Sequence, residues 1–185
     1  MNLPTYLTFV RIITIPFVAI FYYLPFPWAH EVSAIIFLIG SATDWLDGFL
    51  ARRMMQTTKL GAFLDPVADK LLVVVILILI LGHHQVTYIS LAAAIIIGRE
   101  ITISALREWM AELGKRAKVS VIYVAKIKTN LQMIALALLL WYDAQSPLWV
   151  KILGITLLYV AAILTLWSML VYLKLAWPDL TSSSE

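Results

Sequence analysis

The sequence contains no cysteine. Disulfides are therefore excluded, and so are metal sites built on thiolates. Charge is scarce: Asp, Glu, Lys and Arg make up 14% of the 185 residues, against 62% hydrophobic residues. A soluble domain carries roughly 25% charged and about 45–50% apolar residues. The mean hydropathy of +0.91 points the same way. Internal repeats, low-complexity tracts and long linkers are also missing, so a single domain over residues 1–185 is expected. No basic region precedes the first apolar run and no cleavage site follows it, so that run reads as a retained span. The SSSE end reads as frayed.

What is present is a series of apolar runs approaching the roughly 20 residues that cross a bilayer. Six spans are expected, at about 5–25, 32–54, 61–82, 86–108, 119–142 and 149–173. The runs are continuous, so they read as helices and not as the alternating segments of a β-barrel. The fold class is an all-α integral membrane protein with six transmembrane helices. Lys and Arg set its orientation. Arg52, Arg53 and Lys59 fall between spans 2 and 3; Lys115, Arg116 and Lys118 fall between spans 4 and 5; Lys174 follows span 6. The opposite loops, LPFPWAHE, GHHQ and DAQSPLWVK, hold a single Lys151. Both termini are therefore expected on the cytoplasmic side. Trp28, Trp141, Trp149 and Trp177 fall near the expected interfaces. The start, NLPTYLTFVRIITIPF, is more polar, with Pro4 able to open a helix and Pro16 to kink one. A short interfacial segment leading into span 1 is expected there.

On this topology the ionisable residues collect at one depth. Arg11 lies near the start of span 1, Asp44 and Asp47 near the end of span 2, and Asp65 and Asp69 in the first turns of span 3. Arg99, Glu100 and Arg107 lie towards the end of span 4, and Lys126 and Lys128 near the start of span 5. A charge in hydrocarbon costs from about 2.5 kcal/mol upwards, so such residues face a bundle interior or a wet cavity. Their convergence implies a polar cavity open to the cytoplasm, and the uncharged outer half argues against a pore. Snorkelling accounts for Lys115, Arg116 and Lys118 but not for two pairs of aspartates.

Asp44 and Asp47 stand three apart and Asp65 and Asp69 four apart, so each pair shares a helix face. Consecutive spans joined by a short loop bring the four together. Two unit charges 4 Å apart repel by about 4 kcal/mol at an effective dielectric of 20, so the cluster must hold protons or cations. Oxygen donors without His or Cys suit Mg²⁺, Mn²⁺ or Ca²⁺. Magnesium shared between carboxylates and substrate phosphates is what phosphoryl chemistry needs. Gly48 and Gly61 would allow a ligand close to the backbone. Blander readings are an N-cap at Asp65 ahead of Pro66 and a structural ion pair at Asp44.

Asp44, Asp47-Gly48, Ala51-Arg52, Gly61, Asp65 and Asp69 fit D-x2-D-G-x2-A-R-x8-G-x3-D-x3-D without deviation. In this the chain resembles the CDP-alcohol phosphatidyltransferase family. The segments NLPTYLTFVRIITIPF, TDWLDGFLARR, GAFLDPVADK, REITISALREWMAELGKR, KIKT and LTLWSML extend the likeness along nearly the whole chain, towards the bacterial branch that uses sn-glycerol 3-phosphate. The resemblance implies the following reaction. A divalent metal, Mg²⁺ or Mn²⁺ and two ions in all, binds the diphosphate of CDP-diacylglycerol. The acceptor hydroxyl attacks the β-phosphorus, and CMP leaves. It also implies a homodimer in the bacterial inner membrane, with the site facing the cytoplasm and with membrane lipid, not nucleic acid, as partner.

Carried over, Asp44, Asp47, Asp65 and Asp69 would be metal ligands, with Asp69 also the general base. Asp44, Gly48, Ala51, Arg52 and Gly61 would bind CDP-diacylglycerol. The acceptor's phosphate needs cations of its own. Arg99 and Arg107, eight apart, lie within about 80° on one helix face. Lys126 and Lys128, two apart, point to different sides, and Lys126 is favoured. Thr8 and Arg11, one turn apart, complete the candidates. Glu100 and Glu108 are expected to pair with basic neighbours. A relative using inositol phosphate, serine or phosphatidylglycerol shares the motif, but four basic residues favour a phosphorylated acceptor. A transporter would need polar residues reaching both leaflets and broken helices in repeated halves, which this sequence lacks.

Overall fold

The computed structural model describes the backbone of residues 3–54, 59–84, 87–112, 122–143 and 145–181, and the side chains of 6–43, 60–61, 63–83, 89–112, 127–143 and 145–177. It is all-helical, with no strand among the described residues. The helices are α1 (Leu3–Tyr22), α2 (Ala29–Met54), α3 (Lys59–His84), α4 (Thr87–Glu112), α5 (Ile122–Trp141) and α6 (Leu148–Thr181). Each coincides with one expected span, and the ends differ by a few residues. The largest difference is at α6, which continues to Thr181 where the apolar run suggested an end at 173. A helix persists past its apolar stretch because backbone hydrogen bonds, not hydropathy, propagate it. α1 runs unbroken from Leu3 through Pro16 to Tyr22, so the polar start of the chain is the first part of a longer helix. The SSSE end and the Lys115, Arg116 and Lys118 loop lie outside the described residues.

Ile89–Glu112 and Leu148–Trp177 are long and apolar enough to cross a membrane. Tyr6–Tyr22, Ala29–Thr43 and Ile127–Trp141 form shorter apolar stretches. Large apolar side chains also point outward, among them Phe17, Ile39, Ile78, Ile101, Ile163 and Trp167. Surfaces of this kind suit lipid and would aggregate in water.

The helices gather into two compact units. The first comprises residues 1–85 and 133–155, and the second residues 86–132 and 156–185. In the first unit α1 packs against both α2 and α3. Its buried face is Thr8, Arg11, Ile15, Val18 and Tyr22, a 3-4-3-4 spacing that keeps one stripe turned inward. On α3 the matching stripe is Ala68, Leu72, Ile76 and Ile80. On α2 it is Ala29, Ser33, Phe37 and Gly40. Ser33 ties α2 to α1 by donating its hydroxyl to the Val18 carbonyl at 3.3 Å. Gly40 makes the approach close: a Cβ there would stand 2.8 Å from Thr14 Oγ1, itself bonded to the Arg11 carbonyl at 2.6 Å. Small residues at such crossings are what allow membrane helices to pack.

At the Tyr22 end of this unit, Tyr22 meets His30 and His83 edge to face, and the two imidazoles are tilted to each other. The His30 ring lies 4.6 Å from Tyr22 and 4.8 Å from His83, centroid to centroid. His30 Nδ1 donates to the Leu140 carbonyl at 3.2 Å, tying α2 to α5. Partial burial of its ring, with His30 beside it, pushes the His83 imidazole below its ordinary pKa, and Asp143 offsets part of this. Asp143 itself is held below the usual carboxylate range by the Ser146 hydroxyl and by the Gln145 and Ser146 amides.

Two measurements check this unit. Gly40→Ala should lower thermal stability relative to Gly98→Ala, where a Cβ meets nothing within 4 Å, by about 1–3 kcal/mol. Equal melting of the two variants would contradict the α1–α2 approach. The second measurement is pH-dependent. A histidine with a lowered folded pKa binds a proton more readily when unfolded. Its stabilisation is complete above the unfolded value of about 6.5 and is lost as pH falls through the folded value. Melting temperature should therefore drop as pH falls from about 6.5 towards the folded value, and His83→Gln should flatten the drop.

Candidate active site

The site is built from the buried face of α1. That stripe is apolar from Ile15 onward and polar at Thr8 and Arg11, with Thr8 1% and Arg11 0% exposed. A buried guanidinium is costly unless paired and hydrogen-bonded. Its partner is on α3: Arg11 Nη1 donates to Asp69 Oδ1 at 2.5 Å. One turn earlier on each helix, the Thr8 hydroxyl donates to Asp65 Oδ1. Thr8 and Arg11 are three apart and Asp65 and Asp69 four apart, so the two helices meet like paired rungs. The Asp69 side chain keeps 43% of its surface open, so the pair is buried on the arginine side and accessible on the carboxylate side.

Asp65 and Asp69 fall in the second and third turns of α3, which begins at Lys59. Asp65–Pro66 thus lies within a helix, and Asp65 is not an N-cap. The helix accommodates Pro66 at the cost of one backbone donor. Gly61 is buried on the same face one turn before Asp65. The backbone of Asp44, Asp47, Gly48, Ala51 and Arg52 is helical and belongs to α2. Positions 44 and 47 continue the register of the buried Phe37 and Gly40. The side chains of these five residues lie outside the described residues.

Of the six residues expected at the acceptor's phosphate, Thr8 and Arg11 contact the aspartates of the first unit. Arg99, Arg107, Lys126 and Lys128 belong to the second unit. There Arg99 is 8% exposed and bonds Glu100 Oε1 at 2.5 Å, the ion pair expected for that glutamate. Arg107 donates to the Tyr172 hydroxyl at 3.0 Å, and its guanidinium carbon stands 5.3 Å from the centre of the same ring. Lys128 is 6% exposed and donates to Ser168 Oγ at 3.3 Å. On α5 the stripe Lys128, Gln132, Leu136 and Leu139 is buried, while Ile127 is exposed. Lys126 is helical in α5, and its side chain lies outside the described residues.

Sequence reasoning missed Ser168 and Tyr172. The available signal was the polar spacing Thr165, Ser168, Tyr172 in the otherwise apolar α6, three and then four apart. That spacing places them on one face.

Arranged in this way, α3 presents two carboxylates, each with one oxygen engaged by α1. Such a donor set consists of hard oxygens and fits a divalent cation such as Mg²⁺ or Mn²⁺. Among the described residues there is no group of three or more His, Asp or Glu side chains placed to hold a metal ion, and the Asp44 and Asp47 side chains lie outside them.

Comparison with known proteins adds the following. The sequence profile described as CDP-alcohol phosphatidyltransferase matches residues 1–167. A protein of Salmonella choleraesuis is 57% identical over 179 residues, covering 97% of each chain. One from Shigella flexneri serotype 5b is 54% identical and one from Yersinia enterocolitica 53%, each with 97% coverage of both chains. All three relatives are named CDP-diacylglycerol–glycerol-3-phosphate 3-phosphatidyltransferase. With the profile spanning most of its length and more than half of its residues shared end to end, this chain belongs to the CDP-alcohol phosphatidyltransferase family.

Proposed function

We propose that the chain transfers the phosphatidyl group of CDP-diacylglycerol to sn-glycerol 3-phosphate, forming phosphatidylglycerophosphate and releasing CMP. The observation that carries this reading is the 57% identity, over 97% of both chains, to a relative bearing that name. The α1–α3 contacts give it a physical basis: two aspartates of the family motif are held side by side with their carboxylates oriented.

Asp69 takes the proton of the acceptor hydroxyl. The freed oxygen pair forms a bond to the β-phosphorus, and the bond from that phosphorus to the CMP oxygen breaks with its electrons. A carboxylate locked by one oxygen loses little rotational freedom when it meets the hydroxyl, which is the gain from orientation. Arg11 and Thr8 act through the aspartates: Arg11 offsets one negative charge of the cluster and fixes the Asp69 rotamer, and Thr8 does the second task for Asp65. Asp44, Asp47, Asp65 and Asp69 would hold the divalent metal ions. When bound, the metal would neutralise diphosphate charge and steady the attacking and leaving oxygens. Arg52, with Gly48, Ala51 and Gly61, would receive the cytidine and diphosphate, the arginine by paired hydrogen bonds to phosphate oxygens. Arg99, Arg107 and Lys128, with Lys126, would take the acceptor's phosphate, and their number favours a phosphorylated acceptor over serine.

The same reading makes residues 1–185 a single catalytic domain. It has six spans, both termini on the cytoplasmic side and a site opening to the cytoplasmic leaflet of a bacterial inner membrane. The chain acts as a homodimer. Two long apolar helices, the outward apolar side chains and the lipid substrate support the membrane setting.

The purified protein, given CDP-diacylglycerol, Mg²⁺ and sn-glycerol 3-phosphate, should release CMP, and inositol phosphate or serine should not replace the acceptor. Release with one of those, and none with glycerol 3-phosphate, would reject the acceptor. Chelation should stop turnover and Mg²⁺ or Mn²⁺ should restore it. Asp69→Asn should lower kcat by about a hundredfold or more, the usual share of a general base. The amide oxygen can still accept from Arg11, but the buried guanidinium loses its counter-charge, so stability should fall by up to about 3–5 kcal/mol, and kcat is compared at a temperature where the variant stays folded. Near-normal turnover in this variant would remove Asp69 from the role of base.

A further inference from the structure

We propose that α6 is a positioning element for the acceptor's phosphate: Ser168 and Tyr172, one turn apart on its face, hold Lys128 of α5 and Arg107 of α4 in place for a phosphate monoester dianion. The inference rests on the reading that these two cations bind that phosphate. All four residues belong to the second unit.

Lys128 is buried, with 6% exposure, and among the described residues its hydrogen-bond partner is the Ser168 hydroxyl. An ammonium has three N–H donors, so two remain for something else. Among the described residues no carboxylate lies within ion-pair distance of Lys128 or Arg107. Glu100, the nearby acid, is engaged by Arg99, and among the described residues the buried Arg99 Nε has no hydrogen-bond partner. Among the described residues of this unit, Lys128 and Arg99 thus carry buried donors that lack acceptors, Arg107 lies exposed, and an anion with several oxygens would satisfy them.

The Ser168 hydroxyl is fixed from the other side. It donates to the Thr165 carbonyl at 2.9 Å, so its lone pairs are what it offers to Lys128. Ser168 is 1% exposed and cannot turn to water. Tyr172 acts on Arg107 in two ways: its hydroxyl accepts from Nη2, and its ring lies beneath the guanidinium. Ser168 and Tyr172 stand four positions apart, so one helix face orients both cations. Neither residue would touch phosphate. Each acts through the cation it holds.

The test is steady-state kinetics of the full-length enzyme in mixed micelles, varying each substrate at saturating levels of the other. Ser168→Ala should raise the KM for glycerol 3-phosphate about tenfold and keep the KM for CDP-diacylglycerol within about twofold. Ser168→Thr, which keeps the hydroxyl, should restore the parent KM. Tyr172→Phe keeps the ring and should raise the same KM about threefold, and Tyr172→Leu should raise it further. In a Lys128→Met background, Ser168→Ala should add nothing, because its route of action is gone. A full additional effect in that background, or equal increases in both KM values, would overturn the positioning role. If Lys128→Met and Arg107→Ala themselves leave the glycerol 3-phosphate KM unchanged, the phosphate assignment falls and the α6 inference with it. If they raise it while the Ser168 and Tyr172 variants do not, the α6 inference alone falls. Should Ser168→Ala fail to fold, the two Tyr172 variants decide the question.

Discussion

A guanidinium shut away from solvent must meet an anion, and in this chain Arg11 meets Asp69. The arrangement of the first unit follows from that requirement. Breaking such a pair by removing one partner strands a buried charge, at a typical cost of about 3–5 kcal/mol. α1 is therefore not free to slide or rotate against α3. The Thr8–Asp65 contact one turn away fixes the same register a second time. Two independent contacts between the same helices leave the carboxylates with little freedom, which is the condition that a base and a set of metal donors need. The pair is asymmetric, buried on the arginine side and open on the aspartate side. The arginine is enclosed, and the carboxylate keeps the exposure that its proposed role as base requires.

The second unit meets a related problem with different groups. Lys128 and Arg107 have no acid within pairing distance among the described residues, and a hydroxyl and an aromatic ring hold them instead. These partners are weaker than a carboxylate and leave the positive charge uncancelled. A cation left in that state is what the proposed role at a substrate phosphate requires, whereas Arg11, cancelled by Asp69, ties α1 to α3. Among the described residues, the cations thus differ in whether a carboxylate pairs them, which is what the proposed division of roles rests on.

The six helices were legible because continuous apolar runs admit no other structure in lipid, and their boundaries came within a few residues except at α6. The face-sharing of Asp65 with Asp69 was also legible, since helical spacing alone decides it. The pairing of Glu100 with Arg99 was open to sequence because the residues are adjacent. The partners of Thr8 and Arg11 were not, since they lie 57 and 58 residues away. Sequence places a polar residue at a depth and on a face, but which of several acids at that depth it meets depends on how two helices pack. Ser168 and Tyr172 were overlooked for the same reason: their cations are 40 and 65 residues distant, and a lone hydroxyl in an apolar helix often bonds its own backbone.

By itself, then, the sequence determined the helices and the spacing of the four aspartates, because both follow from local periodicity. It also carried the family motif intact. Tertiary structure decided that Arg11 and Thr8 serve the aspartates, that Asp65 sits inside a helix and not at its start, and that Lys128 lies on the buried face of α5 against α6. Those outcomes turn on which side chains face one another across helix crossings. Packing, and not periodicity, sets them.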